Sequence, residues 1–428
     1  MKVLVVGSGG REHAICWKLK QSPLLEELYC APGNPGIGSI ADLVPIEADE
    51  IQNLRDFALE MKIDLTVVGP ELPLALGIVD EFEEKDLSIF GPSRQAALLE
   101  SSKVFAKEFM QRHGIPTAEF EIVHDGDEAR DAVGRIGLPL VMKADGLAAG
   151  KGVLIVRSDE DLEDALKVFF ADRKFGSAGD RVVIEECLEG EEVSVIVLSD
   201  GRHMLPLASS KDYKRIGEGD TGLNTGGMGA HSPSVVLSKE EGSQVLAQIL
   251  QPTIRGMTED GRPLSGVLYA GLMLTADGPR VLEYNVRLGD PEAQPLLVRL
   301  EDDLLPVLAS GAAGRFEAQR LHFRAEATAC IVLASAGYPN TPVKGDTITG
   351  IDAAASLDGV EVFHAGTRLA NGEILASGGR VLDVCGTGPT LQDALKRAYQ
   401  GAAEIHWANK IFRKDIGRRV LRRQSGDA

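Results

Sequence analysis

The chain has 428 residues, with 45 Lys plus Arg against 64 Asp plus Glu and a formal net charge of −19. That length exceeds one ordinary core and predicts two to four domains, and a composition that is 44% hydrophobic and 25% charged is that of a globular, soluble protein. The charge balance excludes broad binding to duplex nucleic acid, which needs clustered cations, but allows a local basic pocket for an anionic metabolite. Cys16, Cys30, Cys187, Cys330 and Cys385 are scattered, odd in number and lack C-x-x-C spacing. That argues against a disulfide framework or a zinc site and for a reducing compartment, and a cytoplasmic protein is expected. No apolar run is long enough for a membrane span, and the one at the N-terminus is too short for a signal peptide.

Residues 1–102 alternate short β-branched runs with helical patterns: KVLVVG, then REHAICWKLKQS, then ELYCAPG, DLTVVGPE and LSIFGPS. This is the βαβ rhythm of a parallel sheet, with ligand loops at the strand ends. The turn GSGGREH at 7–13 lacks the third glycine of a dinucleotide fingerprint, since position 12 is Glu. It still presents a strand, a glycine turn and a helix start, which suits an anion such as a phosphate.

A helix is predicted in SSKVFAKEFMQRHG, closed by Gly114. Residues 120–189 read as a small α/β unit, with Ser158 as N-cap and Asp161 three residues on. Within that unit KADGLAAGKGV resembles a P-loop but has the wrong glycine spacing, with Gly152 where Ser or Thr would reach a metal. It fits better as a β-hairpin flap: Gly150 and Gly152 let backbone amides approach phosphates, and Lys143 and Lys151 supply charge. The segment VVIEECLEGEEVSV predicts strand, bend and strand. The bend offers free backbone groups for an adenine edge, and Glu192 a carboxylate for ribose hydroxyls. Residues 209–233 read as a long polar glycine loop, a length that in a compact domain is usually functional or disordered. Around residue 326 the pattern shifts to a separate C-terminal α+β domain.

The stretch VLEYNVRLGDPE at 281–292 predicts a strand with Leu282, Tyr284 and Val286 facing a core and Glu283, Asn285 and Arg287 on the opposite face. Glu283 and the Asn285 carbonyl oxygen are hard ligands suited to Mg²⁺ that keeps water and substrate phosphates. Arg287 can grip a carboxylate bidentately. The turn Asp290-Pro291-Glu292 is rigid with an acidic end.

With VVGSGGREHA, VVGPELPL, KADGLAAGKGV, NTGGMGA and RLGDPEAQP in one chain, the sequence resembles the phosphoribosylamine–glycine ligase family of ATP-grasp enzymes over essentially its whole length. The resemblance implies an α/β and α+β multidomain fold: an N-terminal parallel-sheet domain at 1–102, an ATP-grasp core at 103–119 plus 190–325 with an inserted lid subdomain at 120–189, and a C-terminal mixed domain at 326–428. It implies ATP-dependent ligation of glycine to phosphoribosylamine through glycyl phosphate, with ATP and Mg²⁺ or Mn²⁺. Carried over by position, Lys103 and Lys143 touch ATP phosphates. Glu185, the Leu188 backbone and Glu192 hold adenine and ribose, and Glu283 and Asn285 bind the metal. Arg287 and Asp212 orient glycine, while Gly9, Gly10, Glu12, Glu71 and Asp290 serve the phosphoribosylamine side. The partners implied are small molecules only, with no nucleic acid and no membrane, and a monomer is expected. The sequence departs from the family at Tyr213 and His231, which leaves those two without roles. Other readings are a different ATP-grasp ligase or carboxylase, and an inactive nucleotide-binding module.

Overall fold

The structure, a computed structural model, describes residues 1–147, 152–234 and 237–425. The chain begins with a five-stranded parallel sheet. The strand Lys2–Gly7 lies at its centre, between Glu27–Pro32 and Leu65–Val68, with Asp42–Leu43 and Ile89–Phe90 at the edges. Five of the six residues of Lys2–Gly7 are buried, as expected of a parallel strand covered on both faces. Its end turns at Gly7 into the helix Gly10–Leu19.

Residues 120–186 form a four-stranded antiparallel sheet in the order Phe120–Val123, Val182–Glu186, Leu140–Ala144, Val153–Val156. The expected hairpin is there, Lys143 pairing with Val153. The flap residues Gly150 and Lys151 lie outside the described residues. Ser158 caps the helix Asp159–Leu166 by accepting from the Asp161 N–H. This unit has its own apolar core, from Val123, Leu140, Met142, Val156, Phe169 and Ile184. The N-terminal sheet is different: Leu4 and Val6 share a core with Val281 and Tyr284, and Val3 and Val5 share another with Leu296 and Leu297. It is therefore anchored to the central region, whereas the small unit carries its own packing.

The central sheet is antiparallel, in the order Met204–Pro206, Glu191–Asp200, Ser265–Thr275, Gly278–Asn285. The predicted strand at 281–292 is shorter than expected. It ends at Asn285, so Arg287 stands in the bend beyond it. Its alternation also breaks. Gly271 pairs with Glu283 and Leu272 with Val281, leaving Leu282 as the extra residue of a bulge. The bulge puts Val281 rather than Leu282 in the core beside Tyr284 and Val286, while Glu283 and Asn285 stay on the open side.

The expectation of a long loop at 209–233 is corrected. Lys211–Asp212 and Gly229–Ser232 are strands, and Arg215–Gly217 with Thr221–Asn224 forms a hairpin between them. The two outer strands extend the C-terminal sheet, Gly229–Ser232 pairing with Ala327–Ser335, which continues through Arg380–Gly388 to Val360–His364. Tertiary pairing with a distant buried strand supplies the partners that local glycine content argued against. No helix among the described residues is long and apolar enough to cross a membrane.

Candidate active site

The open side of the strand Gly278–Asn285 is where charge converges. Lys214 Nζ lies 3.2 Å from Glu283 Oε1 and 3.8 Å from Glu192 Oε2. Lys214 above all, with Lys143 and Lys103, holds the Glu283 carboxyl down at about 2 against the opposing effect of burial. Lys214 itself is raised above its ordinary range: burial works against its charge, and Glu283, Asp212 and Glu192 outweigh it. Asp212, on the short strand beside it, is pushed up to about 7 by burial, which the Lys214 charge only partly offsets. Lys103 opens the helix Lys103–Arg112, whose N-cap Ser102 accepts from the Phe105 N–H, and its Nζ donates to the Gly146 carbonyl at 2.9 Å. Lys143 Nζ donates to the carbonyl of the bulge residue Leu282 at 3.0 Å. Three lysines thus converge on Glu283, a set of cations that can meet a polyphosphate.

Glu185 sits deeper. Its two oxygens meet two ammonium groups, Lys143 on Oε1 and Lys107 on Oε2. Leu188 lies just beyond, between the strands Val182–Glu186 and Glu191–Asp200, and its backbone belongs to neither ladder. Main chain outside a ladder can pair with a heteroaromatic ring edge.

Arg287 joins this cleft to the N-terminal sheet. Its Nη2 lies 3.0 Å from Glu100 Oε1 and donates to Asn285 Oδ1 at 3.1 Å, and its Nε lies 3.3 Å from Glu71 Oε2. Burial pushes the Glu100 carboxyl up despite Arg287. For Glu71 burial acts the same way, but Arg287 and Arg11 together win and the carboxyl is lowered. Glu100 also accepts the Val286 N–H at 2.7 Å, which fixes the bend that carries Arg287.

On the far side, the glycine turn has supplied its own anion. Glu12 accepts the Gly9 N–H at 2.6 Å and the Arg11 guanidinium at 2.6 Å. Space for that side chain exists because positions 7 and 69 are both glycine: a Cβ at 69 would lie 2.0 Å from Glu12 Oε1, and one at 7 would lie 2.6 Å from Glu12 Cγ. Gly10 is pinned likewise, a Cβ falling 1.8 Å from Asp383 Oδ2 of the C-terminal sheet. Gln294 Nε2 bridges Asp383 Oδ2 at 2.7 Å and Asp290 Oδ1 at 2.9 Å, and Arg380 Nη2 lies 3.1 Å from Asp290 Oδ2.

The sequence-derived residues therefore fall into two neighbouring groups. Lys103, Lys143, Glu185, Glu192, Asp212, Glu283 and Asn285 line the lysine cleft, while Gly9, Gly10, Glu12, Glu71 and Asp290 line the glycine turn, and Arg287 connects the two. Gly152 stands at the edge of the flap, at the end of its described part. Sequence reading missed Lys107, Lys214, Glu100, Gln294, Arg380 and Asp383. Lys214 lies in the polar stretch already singled out and Gln294 within RLGDPEAQP, though neither was given a role; Lys107, Glu100, Arg380 and Asp383 carry no local signal.

Glu283 and Asn285 offer an ionised carboxylate and an amide oxygen on one strand face. Among the described residues no group of three or more His, Cys, Asp or Glu could hold a metal ion by itself. This donor set fits a hard divalent cation shared with substrate phosphates rather than a self-contained metal centre.

Comparison with known proteins agrees along the whole chain. Three family descriptions match: the phosphoribosylglycinamide synthetase N domain over residues 1–100, its ATP-grasp (A) domain over 101–293 and its C domain over 328–419. The chain is similar to a phosphoribosylamine–glycine ligase of Brucella melitensis, 47% identical over 427 residues and covering 100% of both chains. It is 50% identical over 424 residues to one from Ralstonia nicotianae, covering 99% of this chain and 100% of that one. The crystal structure of the Thermotoga maritima phosphoribosylamine–glycine ligase superposes with a TM-score of 0.85 at 35% identity, covering 97% of this chain and 100% of that one. A biotin carboxylase domain from Hydrogenobacter thermophilus, in complex with MgADP and bicarbonate, shares the fold with a TM-score of 0.73 at 19% identity, covering 97% of this chain and 94% of that chain.

Proposed function

The chain belongs to the phosphoribosylglycinamide synthetase family, and from that premise we propose how its residues divide the work. The reaction is the ATP-dependent ligation of glycine to 5-phosphoribosylamine, giving glycinamide ribonucleotide, ADP and phosphate in purine biosynthesis. The observation that carries the assignment of residues is the position of Arg287, whose guanidinium spans from Asn285 at the lysine cleft to Glu71 beside the glycine turn.

A carboxylate does not acylate an amine at neutral pH, because its oxygen is a poor leaving group. In the proposed sequence a glycine carboxylate oxygen attacks the γ-phosphorus of ATP and ADP departs, leaving glycyl phosphate. The amine of phosphoribosylamine then attacks the acyl carbon, loses a proton, and phosphate leaves with the original carboxylate oxygen. The protein forms no covalent bond, so positioning and charge compensation supply the catalysis.

Lys103, Lys143 and Lys214 surround the transferred phosphoryl group. The Leu188 backbone takes the adenine edge, Glu192 the ribose hydroxyls, and Glu185 orients Lys143. Arg287 and Asp212 orient glycine. Gly9, Gly10, Glu12, Glu71 and Asp290 receive phosphoribosylamine, so that amine and acyl phosphate meet near Arg287. Mg²⁺ or Mn²⁺ on Glu283 and Asn285 supplies neutralisation of phosphate charge when bound. Residues 120–189 are taken as the lid, 1–102 and 326–428 as the flanking domains, and the enzyme as a cytoplasmic monomer that meets small molecules only.

The test is ADP release with glycine labelled with ¹⁸O in its carboxylate. ADP should form at full rate only with both glycine and freshly made phosphoribosylamine present, and one label should appear in phosphate. Label released to water, with none in phosphate, would sink the acyl phosphate route.

A further inference from the structure

Lys107 has no part in the scheme above, yet it is the second partner of Glu185. Its Nζ lies 2.5 Å from Glu185 Oε2, while Lys143 holds Oε1, and all three side chains are at least nine-tenths buried. Lys107 Nζ also donates to Thr117 Oγ1 at 2.8 Å, and Thr117 Oγ1 donates to the Val281 carbonyl at 2.7 Å. Lys143 Nζ donates to the next carbonyl, that of Leu282, at 3.0 Å. The two lysines therefore tie the strands Leu140–Ala144 and Val182–Glu186 of the lid to adjacent residues of one bulge on the central strand. The ring of Phe120 lies 5.4 Å from Lys107 Nζ and closes the niche from the lid side. Burial lowers the Lys107 ammonium to about 8, and the Glu185 charge keeps it from falling further.

A buried carboxylate between two ammonium groups divides its attraction between them, and in a weakly polarisable interior that attraction is strong. Remove one cation and the whole of it falls on the other. We propose that Lys107 is a positioning residue for ATP: by taking one oxygen of Glu185 it limits how strongly the other oxygen holds Lys143, and so sets where Lys143 Nζ stands over the nucleotide. This rests on the reading of Lys143 as a phosphate ligand.

The experiment compares steady-state constants for ATP, glycine and phosphoribosylamine in the full chain and its variants. Lys107→Met should raise the KM for ATP about tenfold, with kcat within about twofold and the other two KM values unchanged. Lys107→Arg should restore most of the affinity, because it keeps the charge. The double variant Lys107→Met with Glu185→Gln should bind ATP better than Lys107→Met alone, since the carboxylate that captures Lys143 is gone. A merely structural role for Lys107 would lower melting temperature and active fraction, moving kcat and not the KM for ATP alone. An unchanged KM for ATP in Lys107→Met, or a double variant no better than the single one, overturns the proposal. If Lys107→Met does not fold, Lys107→Gln carries the same expectation, because it keeps a hydrogen bond and loses the charge. Lys143→Ala separates the two levels: if it leaves the KM for ATP unchanged, the phosphate-ligand reading itself is wrong.

Discussion

Replacing Glu283 by Gln separates chemistry from folding. The carboxyl lies at about 2 against an ordinary 4.5, held there first by Lys214 and then by Lys143 and Lys103. A displacement of that size corresponds to roughly 3 kcal/mol if fully felt. The side chain keeps 42% of its surface exposed, so solvent screening reduces the stability contribution to about 1 kcal/mol. The sign follows from a depressed carboxyl: the contribution is complete above pH 4.5 and is lost as pH falls toward about 2. Glu283→Gln should therefore melt within a few degrees of the wild type at pH 7 and lose part of the acid sensitivity below pH 4.5. Turnover should behave differently. The variant removes the ionised metal ligand and leaves Lys103, Lys143 and Lys214 without their common counter-charge, and loss of one electrostatic element of this kind costs about 10²–10³ in rate. ADP release, coupled to NADH oxidation and run beside thermal melts followed by circular dichroism, reads both quantities. Wild-type turnover with a native-like melt would refute the metal and phosphate assignment. A collapse of the melt equal to the loss of activity would make Glu283 structural.

Lys214→Ala should cut turnover about 100-fold with the fold kept, because the cation 3.2 Å from Glu283 is lost; a variant with normal kcat/KM for both ATP and glycine would remove Lys214 from the site. Gly10→Ala forces a methyl group to within 1.8 Å of Asp383 Oδ2, which should cost about 1–3 kcal/mol in urea unfolding and raise the KM for phosphoribosylamine above all. An unchanged KM there would mean that the glycine turn is not its site. His13, His231 and His364 are depressed to about 3, 4 and 4, burial being the main cause in each. The unfolded chain takes up their protons first, so stability should fall as pH drops from 6.5 toward 4, each histidine contributing at most about 1.4 kcal/mol per pH unit. A melting temperature flat between pH 6.5 and 4.5 would contradict their buried neutral state, and His231→Asn should flatten the slope.

Much of this protein was legible in the sequence wherever the cause is local. The strand, glycine turn and helix at residues 1–19, the hairpin at 140–156 and the cap at Ser158 each depend on residues a few positions apart. Glu283 and Asn285 could be placed on one face because strand alternation is a local geometric fact. The combined motifs of the resemblance carried the fold class and the reaction, which the comparisons bear out. The same local logic failed at Leu282, where the bulge opposite Gly271 and Leu272 reset the alternation. It failed again at 209–233, where strands form because a buried strand more than 90 residues away offers its hydrogen-bonding edge.

The tertiary structure alone decided which charges meet. Glu100 is brought to Arg287 by packing of the N-terminal sheet against the central strand, and Asp383 to Gly10 by the C-terminal sheet. Lys107 meets Glu185 because the strand Val182–Glu186 packs against the helix Lys103–Arg112, and nothing in AKEF distinguishes that lysine from a solvated one. The physical reason is that backbone periodicity and turn chemistry are written within a few residues, whereas an ion pair is stabilised by burial. Burial is a property of the whole packed chain.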